Sequence, residues 1–322
     1  MDIQTILPKI KRNILLRDYT TFKVGGSADY FIDIDNQDEL QKTITVIKKF
    51  KKPFFVLGNG SNLLVSDSGY RGIVIKMSGD NISFKNRLIY ADSGVLLPSL
   101  SLFALEKGLT GMEWAGGVPG TVGGAVRGNA GAFGDCISDI VTRVRALNSN
   151  TGDIEEIENK GCHFGYRKSI FKKNPNLIII GAELTLEMGD RAEIKKKTEK
   201  YLDYRKERHP VEPSAGSIFK NYVIKSDKER ESLFSKFPEL EKVTCDNVIS
   251  AGFLIEKSGL KGLVCGGVMV SKLHSNFIIN GGDGTALDIK KIITTIKKRV
   301  GDIFGLSIEE EIQYVGFYKD QN

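Results

Sequence analysis

Four cysteines in 322 residues (Cys136, Cys162, Cys245 and Cys265) are too few and too scattered for a disulfide scaffold, and no Cys-x-x-Cys pair offers a zinc site. Free thiols in a reducing cytoplasm are the expectation. The three histidines show no metal-ligand spacing, so no metal centre is expected. Long apolar runs are missing too: the longest, "LIIIGA" from Leu177, is far too short to cross a bilayer. The start "MDIQTILPKIKRN" carries an acid at Asp2 and lacks the basic, then apolar, pattern of a secretory signal. No Gly-Lys pair occurs, which excludes a Walker A phosphate loop. There is no block of like charge. The formal net charge of +6 comes from scattered lysines such as Lys48, Lys49, Lys51 and Lys52. That pattern fits a solvated surface better than a nucleic-acid face, while still favouring small anionic ligands.

What is present reads as an ordinary globular chain, 41% hydrophobic and 27% charged, long enough for two or three domains with cores of their own. "FIDID" (31–35) alternates like a strand. Asp38 is placed to cap a helix carrying Leu40, Ile44 and Ile47 on one face, and "PFFVLG" follows as a short buried strand. These form one small α/β unit, 1–77. After "GIVIKM" (72–77) the pattern changes to short strands, a helix from Pro98 to Lys107, and later a charged helix over about 191–207 that ends at "RHPVEP". This is a second unit, 78–207. The third, 208–313, is α+β. "NVISAGFLIEKSGLKG" and "LHSNFIIN" give a helix and a strand; Thr285 and Asp288 form a capping box before a helix with Leu287, Ile292, Ile293, Ile296, Val300 and Ile303 on its apolar side. The tail 314–322 can return to the first unit.

The densest signal is "GGVPGTVGGAVRGNAGAFG" (116–134), with eight glycines and almost no charge. Glycine permits positive φ and lets a ligand approach the main chain, so such a run suits backbone N–H groups around an anion; tight turns in a β-rich domain are the alternative. A second turn, "LGNGSNLLV" (57–65), offers Gly58, Gly60 and the Ser61 hydroxyl after a buried strand. It is no Rossmann fingerprint, because Leu63 stands at the third glycine and no amphipathic helix follows. Two such turns without lysine suggest a pyrophosphate held by main-chain donors.

Seven motifs then occur in the order found in the UDP-N-acetylenolpyruvoylglucosamine reductases: "TTFKVGG" (20–26), "LGNGSNLL" (57–64), "GMEWAGGVPGTVGGA" (111–125), "NAGAFG" (129–134), "FGYRKSIF" (164–171), "GSIFKN" (216–221) and "HSNFIIN" (274–280). The chain resembles that family over nearly its whole length. The resemblance implies an α+β protein with the FAD-binding fold of the vanillyl-alcohol oxidase type, two α/β subdomains, followed by a C-terminal α+β substrate domain. It implies that FAD is held by Gly58, Asn59, Gly60, Ser61 and Asn62, and by Gly117, Pro119, Gly120, Thr121, Gly123, Gly124 and Ala125. NADPH is the implied hydride donor, a UDP-sugar the implied substrate, and peptidoglycan precursor synthesis the implied setting. No nucleic-acid or membrane partner is expected, and a monomer is favoured with the oligomeric state left open.

The reaction that the resemblance implies adds hydride to an enol ether carbon and a proton to its neighbour, which bears the carboxylate. The family motifs place a carboxylate-binding arginine at Arg167, a proton-donating serine at Ser217 and a stabilising glutamate at Glu311. "SIFK" occurs twice (169–172 and 217–220), but only Ser217 has the family's preceding glycine and following Asn221. Ser-x-x-Lys also fits serine acyl-enzymes, yet Lys-Thr-Gly and Ser-Asp-Asn are both missing. In "LSIEEEIQYVG", strand parity puts Ile308, Ile312 and Tyr314 on one face and Glu309, Glu311 and Gln313 on the other, so Glu309 is the fallback. Arg205, Lys220, Asn221, Lys257 and His274 lie in or near matching motifs and are the candidate substrate contacts, although His274 also fits a core histidine.

Three departures stand out: Gln313 replaces a usual arginine, Tyr222 a usual proline, and "MNAGA" appears as "GNAGA", with Gly128 at its start and Arg127 preceding it. The step from Arg167 to Ser217 resembles the shorter branch, which lacks an inserted loop carrying a tyrosine lid. Two other functions compete. An alcohol oxidase of the same fold would be supported by a covalent flavin, but neither glycine-rich loop holds a histidine to carry the link. A non-catalytic nucleotide-sugar binding protein would be colourless.

Overall fold

The computed structural model describes residues 2–318, and positions 319–322 of the expected returning tail lie outside them. The chain forms two compact units. Among the described residues one comprises 2–14, 27–60 and 70–207, and the other comprises 15–26, 61–69 and 208–318. Among the described residues no helix is long and apolar enough to cross a membrane.

The first unit contains two sheets. In the four-stranded sheet, Ser27–Ile34 and Phe54–Leu57 both run parallel to Tyr70–Met77, which lies between them, and Lys11–Leu15 forms an outer strand. The helix Gln37–Phe50 makes the crossover and buries Leu40, Ile44 and Ile47. Asn36, not Asp38, caps it: the Asn36 side chain accepts from Glu39 N at 2.9 Å. The helix starts one residue before Asp38, whose charge then sits in the first turn, where it still favours the helix dipole.

The five-stranded sheet is antiparallel, in the order Ile154–Glu158, Val141–Asn148, Leu177–Thr185, Leu88–Asp92, Ile82–Lys85. Its central strand explains the unbroken run "LIIIGA". Ile178 and Ile180 join the core shared with the parallel sheet, while Leu177 and Ile179 point into a second core around Trp114, Val122 and Val126. A strand covered on both faces has no polar side to alternate with.

The charged helix Arg191–Arg208 buries only Ile194. Polar and aromatic contacts attach it instead. Lys197 Nζ lies 3.6 Å from Glu113 and 3.5 Å from Asp135; Tyr201 stacks on Phe133 with ring centroids 4.1 Å apart; and the Arg205 guanidinium lies 5.4 Å from the same ring.

The second unit is organised around Ala286–Phe304, whose Ala286, Ile289, Ile292, Ile293, Ile296, Val300 and Phe304 are buried. The capping box of Thr285 and Asp288 is present, and both Asp67 carboxylate oxygens accept from the first turn, from Ala286 N at 2.8 Å and Leu287 N at 3.1 Å. Leu287 itself is exposed, because the buried stripe runs through Ile289 instead. Phe22, Val24 and Leu64 complete this core. The strand expected over 273–280 shortens to Ile278–Asn280, since Phe277 N bonds back to His274 O in a turn. Residues 306–312 form no regular strand, and Gln313–Val315 pairs in parallel with Leu63–Val65. Strand parity therefore fails over 308–314: Ile308 and Ile312 are buried, but Tyr314 is exposed.

Glu113 is a buried carboxylate of the first unit. It accepts from the Thr110 hydroxyl at 2.5 Å and from Gly111 N at 3.0 Å, with Lys197 beside it. Burial pushes its pKa up, but these donors and the lysine together outweigh burial and hold the carboxyl below the ordinary range. A depressed folded pKa stabilises above the unfolded value of 4.5 and loses that contribution as pH falls through the folded pKa. Glu113→Gln is expected to cost about 2 kcal/mol at pH 7 in urea unfolding. The gap to wild type should narrow as pH falls from 7 to 3; an equal gap at both pH values would refute this account.

Candidate active site

In the first unit, Gly58 ends the strand Phe54–Leu57 and meets the glycine-rich stretch directly. A Cβ added at Gly58 would lie 2.6 Å from Thr121 Oγ1, and Asn59 Nδ2 donates to Pro119 O at 2.8 Å. The two turns singled out in the sequence thus touch. The glycines of 116–124 are not there for positive φ, which none of them adopts. They permit close packing: a Cβ at Gly123 would lie 2.8 Å from Ser93 Cβ, and one at Gly117 would lie 2.6 Å from Arg205 Cδ. Most main-chain donors of this stretch are already used within the unit, including those of Val118, Gly120, Val122, Gly123, Gly124 and Ala125. By contrast, the N–H groups of Asn59 and Gly60 have no acceptor among the described residues, and Gly60 sits at φ 63°.

A cavity opens beside these turns. Gly58, Ser93, Thr121 and Arg127 line it, together with apolar Val56, Phe171 and Ile179. Ser93 is 3% exposed, and its buried hydroxyl has no partner among the described residues. A glycine whose missing side chain leaves room at Thr121, uncommitted N–H groups and an orphaned hydroxyl are the features that a bound dinucleotide would use.

Arg167 belongs to the same unit. It occupies the tip of a tight turn in which Gly165 and Lys168 exchange both backbone bonds, and it holds φ at 56°, unusual for a side-chain-bearing residue. Its guanidinium donates to Asn129 O at 3.4 Å and Gly131 O at 3.2 Å, while Asn129 Nδ2 donates to Gly165 O at 3.0 Å. The "FGYRK" turn is thereby fastened to "NAGA". Arg205 lies along Gly117, and its Nε has no hydrogen-bond partner among the described residues.

In the second unit, Ser217 follows Gly216 (φ 72°) and bridges to Phe277. Asn276 locks this segment: its O accepts from Ile218 N at 2.8 Å, its Oδ1 accepts from Phe219 N at 2.9 Å, and its Nδ2 donates to Phe219 O at 2.8 Å. On the other side Glu311 N donates to Ile218 O at 2.7 Å, so the backbones of Ser217 and Glu311 run side by side. Asn62 Nδ2 donates to Glu311 O at 3.3 Å, and Asn62 O accepts from Gln313 N. Ser61 and Asn62 also keep N–H groups without an acceptor among the described residues.

Glu309 and Glu311 part company here. The Glu309 side chain is 76% exposed and paired with Lys220 at 2.8 Å, and Glu310 meets Lys297 at 3.0 Å. Asn221 Oδ1 accepts from Ala251 N at the start of helix Ala251–Lys257, whereas Lys257 is exposed above Phe253. His274 is half-buried against His209 and Phe277, and burial chiefly holds its pKa below the ordinary imidazole value. The sequence reading missed Lys261, which interacts with His274 and pairs with Glu256 at 3.2 Å; its "GLKG" surroundings were the available signal. It also missed Asn276, which stands inside "HSNF".

The architecture is that of a flavin-binding α+β protein, and comparison with known proteins agrees. Residues 28–158 match the family model of an FAD binding domain, and residues 208–315 match that of the C-terminal domain of UDP-N-acetylenolpyruvoylglucosamine reductase. The reductase of that name from Anoxybacillus flavithermus is 37% identical over 98% of this chain and 97% of its own; that from Alkaliphilus oremlandii is 39% identical over 94% and 91%. The crystal structure of the Thermus caldophilus reductase superposes with a TM-score of 0.76 at 32% identity, covering 95% of this chain and 98% of that one. The chain belongs to the UDP-N-acetylenolpyruvoylglucosamine reductase family. Its fold is the vanillyl-alcohol oxidase type of FAD-binding fold with a C-terminal α+β domain, its cofactor is FAD, and NADPH is the hydride donor.

Gly58→Ala forces a methyl group into the Thr121 hydroxyl. The variant is expected to keep its far-ultraviolet circular dichroism but to purify with about a tenth of the wild-type flavin per chain. Wild-type flavin content, read from visible absorbance, would show that the turn can yield.

Proposed function

We propose that Arg167, Ser217 and Glu311 carry the chemistry of this family in this chain. The activity is the FAD-dependent reduction of UDP-N-acetylglucosamine enolpyruvate to UDP-N-acetylmuramate with NADPH, a step of peptidoglycan precursor synthesis. Bound FAD supplies the hydride. The protein must hold the substrate carboxylate, stabilise negative charge as it develops there, and deliver a proton to the adjacent carbon.

Arg167 suits the first task, since a guanidinium holds a carboxylate through parallel bonds and stays charged throughout. Its anchorage to two backbone carbonyls fixes its direction in advance. Ser217 is assigned the proton. An unperturbed hydroxyl is a weak acid, so it serves only when aligned with a strongly basic carbon; the two-sided clamp of Asn276 and Glu311 on residues 218 and 219 limits its freedom. Glu311 is assigned the stabilising role and Glu309 is set aside, because the latter is exposed and committed to Lys220. The single observation that carries the assignment is the Glu311 N to Ile218 O bond, which fixes the two motifs in register.

We assign the FAD pyrophosphate to residues 58–62, where the main-chain N–H groups of 59–62 have no acceptor among the described residues, and a packing surface for the cofactor to residues 116–125. Arg205, Lys220, Asn221, Lys257 and His274 are the proposed contacts for the sugar nucleotide. Residues 1–77 and 78–207 are proposed as the flavin subdomains and 208–313 as the substrate domain, in a monomeric cytoplasmic enzyme.

Ser217→Ala tests the assignment. NADPH should bleach the flavin absorbance within about threefold of the wild-type rate, while return of colour on adding the enolpyruvyl sugar nucleotide should slow by about 10³-fold. Bleaching and recovery slowed to the same extent would count against Ser217 as proton donor.

A further inference from the structure

We infer that His274 is a positioning residue for the serine to which the proton is assigned, acting through the main chain of Asn276. The inference rests on the assignment of Ser217 and adds a requirement to it: the His274 ring must stay neutral, with one nitrogen free to accept.

The route is a chain of hydrogen bonds within the second unit. His274 Nδ1 lies 3.2 Å from Asn276 N. A peptide N–H can only donate, so Nδ1 is the acceptor and the ring carries its proton on Nε2. Asn276, 4% exposed, passes the constraint on: its O accepts from Ile218 N at 2.8 Å, and its side-chain amide exchanges two bonds with the main chain of Phe219. Ser217 bridges to Phe277, whose ring centroid lies 4.8 Å from that of His274. The imidazole is itself held in place. His274 N donates to Ser271 Oγ at 3.3 Å, His274 O accepts from Phe277 N at 3.0 Å, and a Cβ added at Gly252 would lie 3.3 Å from His274 Cε1.

A proton on Nδ1 would turn that acceptor into a donor. Two N–H groups would then oppose each other, and Asn276 N, which has no other acceptor among the described residues, would be left buried and unpaired. The titratable groups facing the ring are Glu256 on the helix Ala251–Lys257, Lys261 after it, and His209, which meets the ring edge to face at 5.6 Å. Glu256 and Lys261 are paired at 3.2 Å. Burial most of all favours the neutral ring and Lys261 acts with it, whereas a backbone bond and Glu256 act against it. The folded pKa therefore lies below 6.5, so the bond is intact at neutral pH and is lost as pH falls through the folded value. Reduction of the flavin by NADPH takes no proton from Ser217. Only the half-reaction with the enolpyruvyl sugar nucleotide should feel the loss.

Three variants of the holoenzyme test this. His274→Asn places an amide oxygen where Nδ1 stood, the acceptor of an Asx-turn to the N–H two residues on, and it cannot titrate. His274→Gln carries its amide out to the Nε2 position instead, and His274→Ala removes both. Bleaching of the flavin by NADPH and its recolouration by saturating sugar nucleotide are followed separately in stopped flow. At pH 8 His274→Ala and His274→Gln should slow recolouration about tenfold, with bleaching within about twofold of wild type, and His274→Asn should recover to within about threefold. Between pH 8 and pH 5 recolouration should fall about tenfold in wild type and by less than about twofold in His274→Asn. A rescue by Gln that equals or exceeds that by Asn would make the ring a ligand contact through Nε2 and overturn the inference. Equal slowing of both half-reactions would also overturn it, as would an acid loss that persists in His274→Asn, which retains His209. If Ser217→Ala leaves recolouration at the wild-type rate, the proton assignment itself fails; if Ser217→Ala slows it and Asn does not rescue, this inference alone fails.

Discussion

The candidate site of the first unit depends on how closely the main chain at Gly58 approaches the side chain of Thr121. With any side chain at 58 the Cβ would lie 2.6 Å from Thr121 Oγ1, closer than ordinary contact, so the turn after the strand Phe54–Leu57 or the threonine side chain would have to shift. The Asn59 bond to Pro119 would go with it. That contact leaves the N–H groups of Asn59 and Gly60 without internal partners, and beside it lies the cavity that reaches Ser93 and Arg127. The charged helix 191–208 holds the same region from outside through Lys197, Tyr201 and Arg205. A nearly unburied helix is retained because its contacts fix the loops.

The second unit presents a different problem, the positioning of the Ser217 hydroxyl to which we assign the proton. Residues 217–220 are too short to form a sheet with their neighbours, and they are held instead by backbone bonds from 276 on one side and 309–311 on the other. Asn276 contributes three bonds to this segment, one through its main-chain carbonyl and two through its side-chain amide. Its amide can mimic a strand because it offers a donor and an acceptor in one plane.

Much of this was legible in the sequence. Alternation and helical period located the strand before 35, the helix with Leu40, Ile44 and Ile47, and the capping box at Thr285, because each of those elements has one wet and one dry face. The ordered motifs gave the family. Legibility failed where burial or loop geometry replaced periodicity. Asn36 takes the cap in place of Asp38, since an asparagine one residue ahead of the helix outcompetes an acid inside it. The parity argument over 308–314 assumed a strand, whereas residues 306–312 form no regular strand and Glu309 is exposed and paired with Lys220. The purpose of the glycines in 116–124 was also hidden, because a need for close packing and a need for left-handed torsion select the same residue.

The second unit is assembled from three stretches of chain that lie far apart in order, 15–26, 61–69 and 208 onward. Phe22, Val24 and Leu64 emerge early in synthesis, yet the helix 286–304 that covers them is among the last elements made. A growing polypeptide must therefore carry these apolar groups uncovered through most of translation, paying a large loop-closure entropy before they are enclosed. Fragments ending short of residue 304 would leave this surface open to solvent, and so would be natural clients for chaperones and prone to self-association.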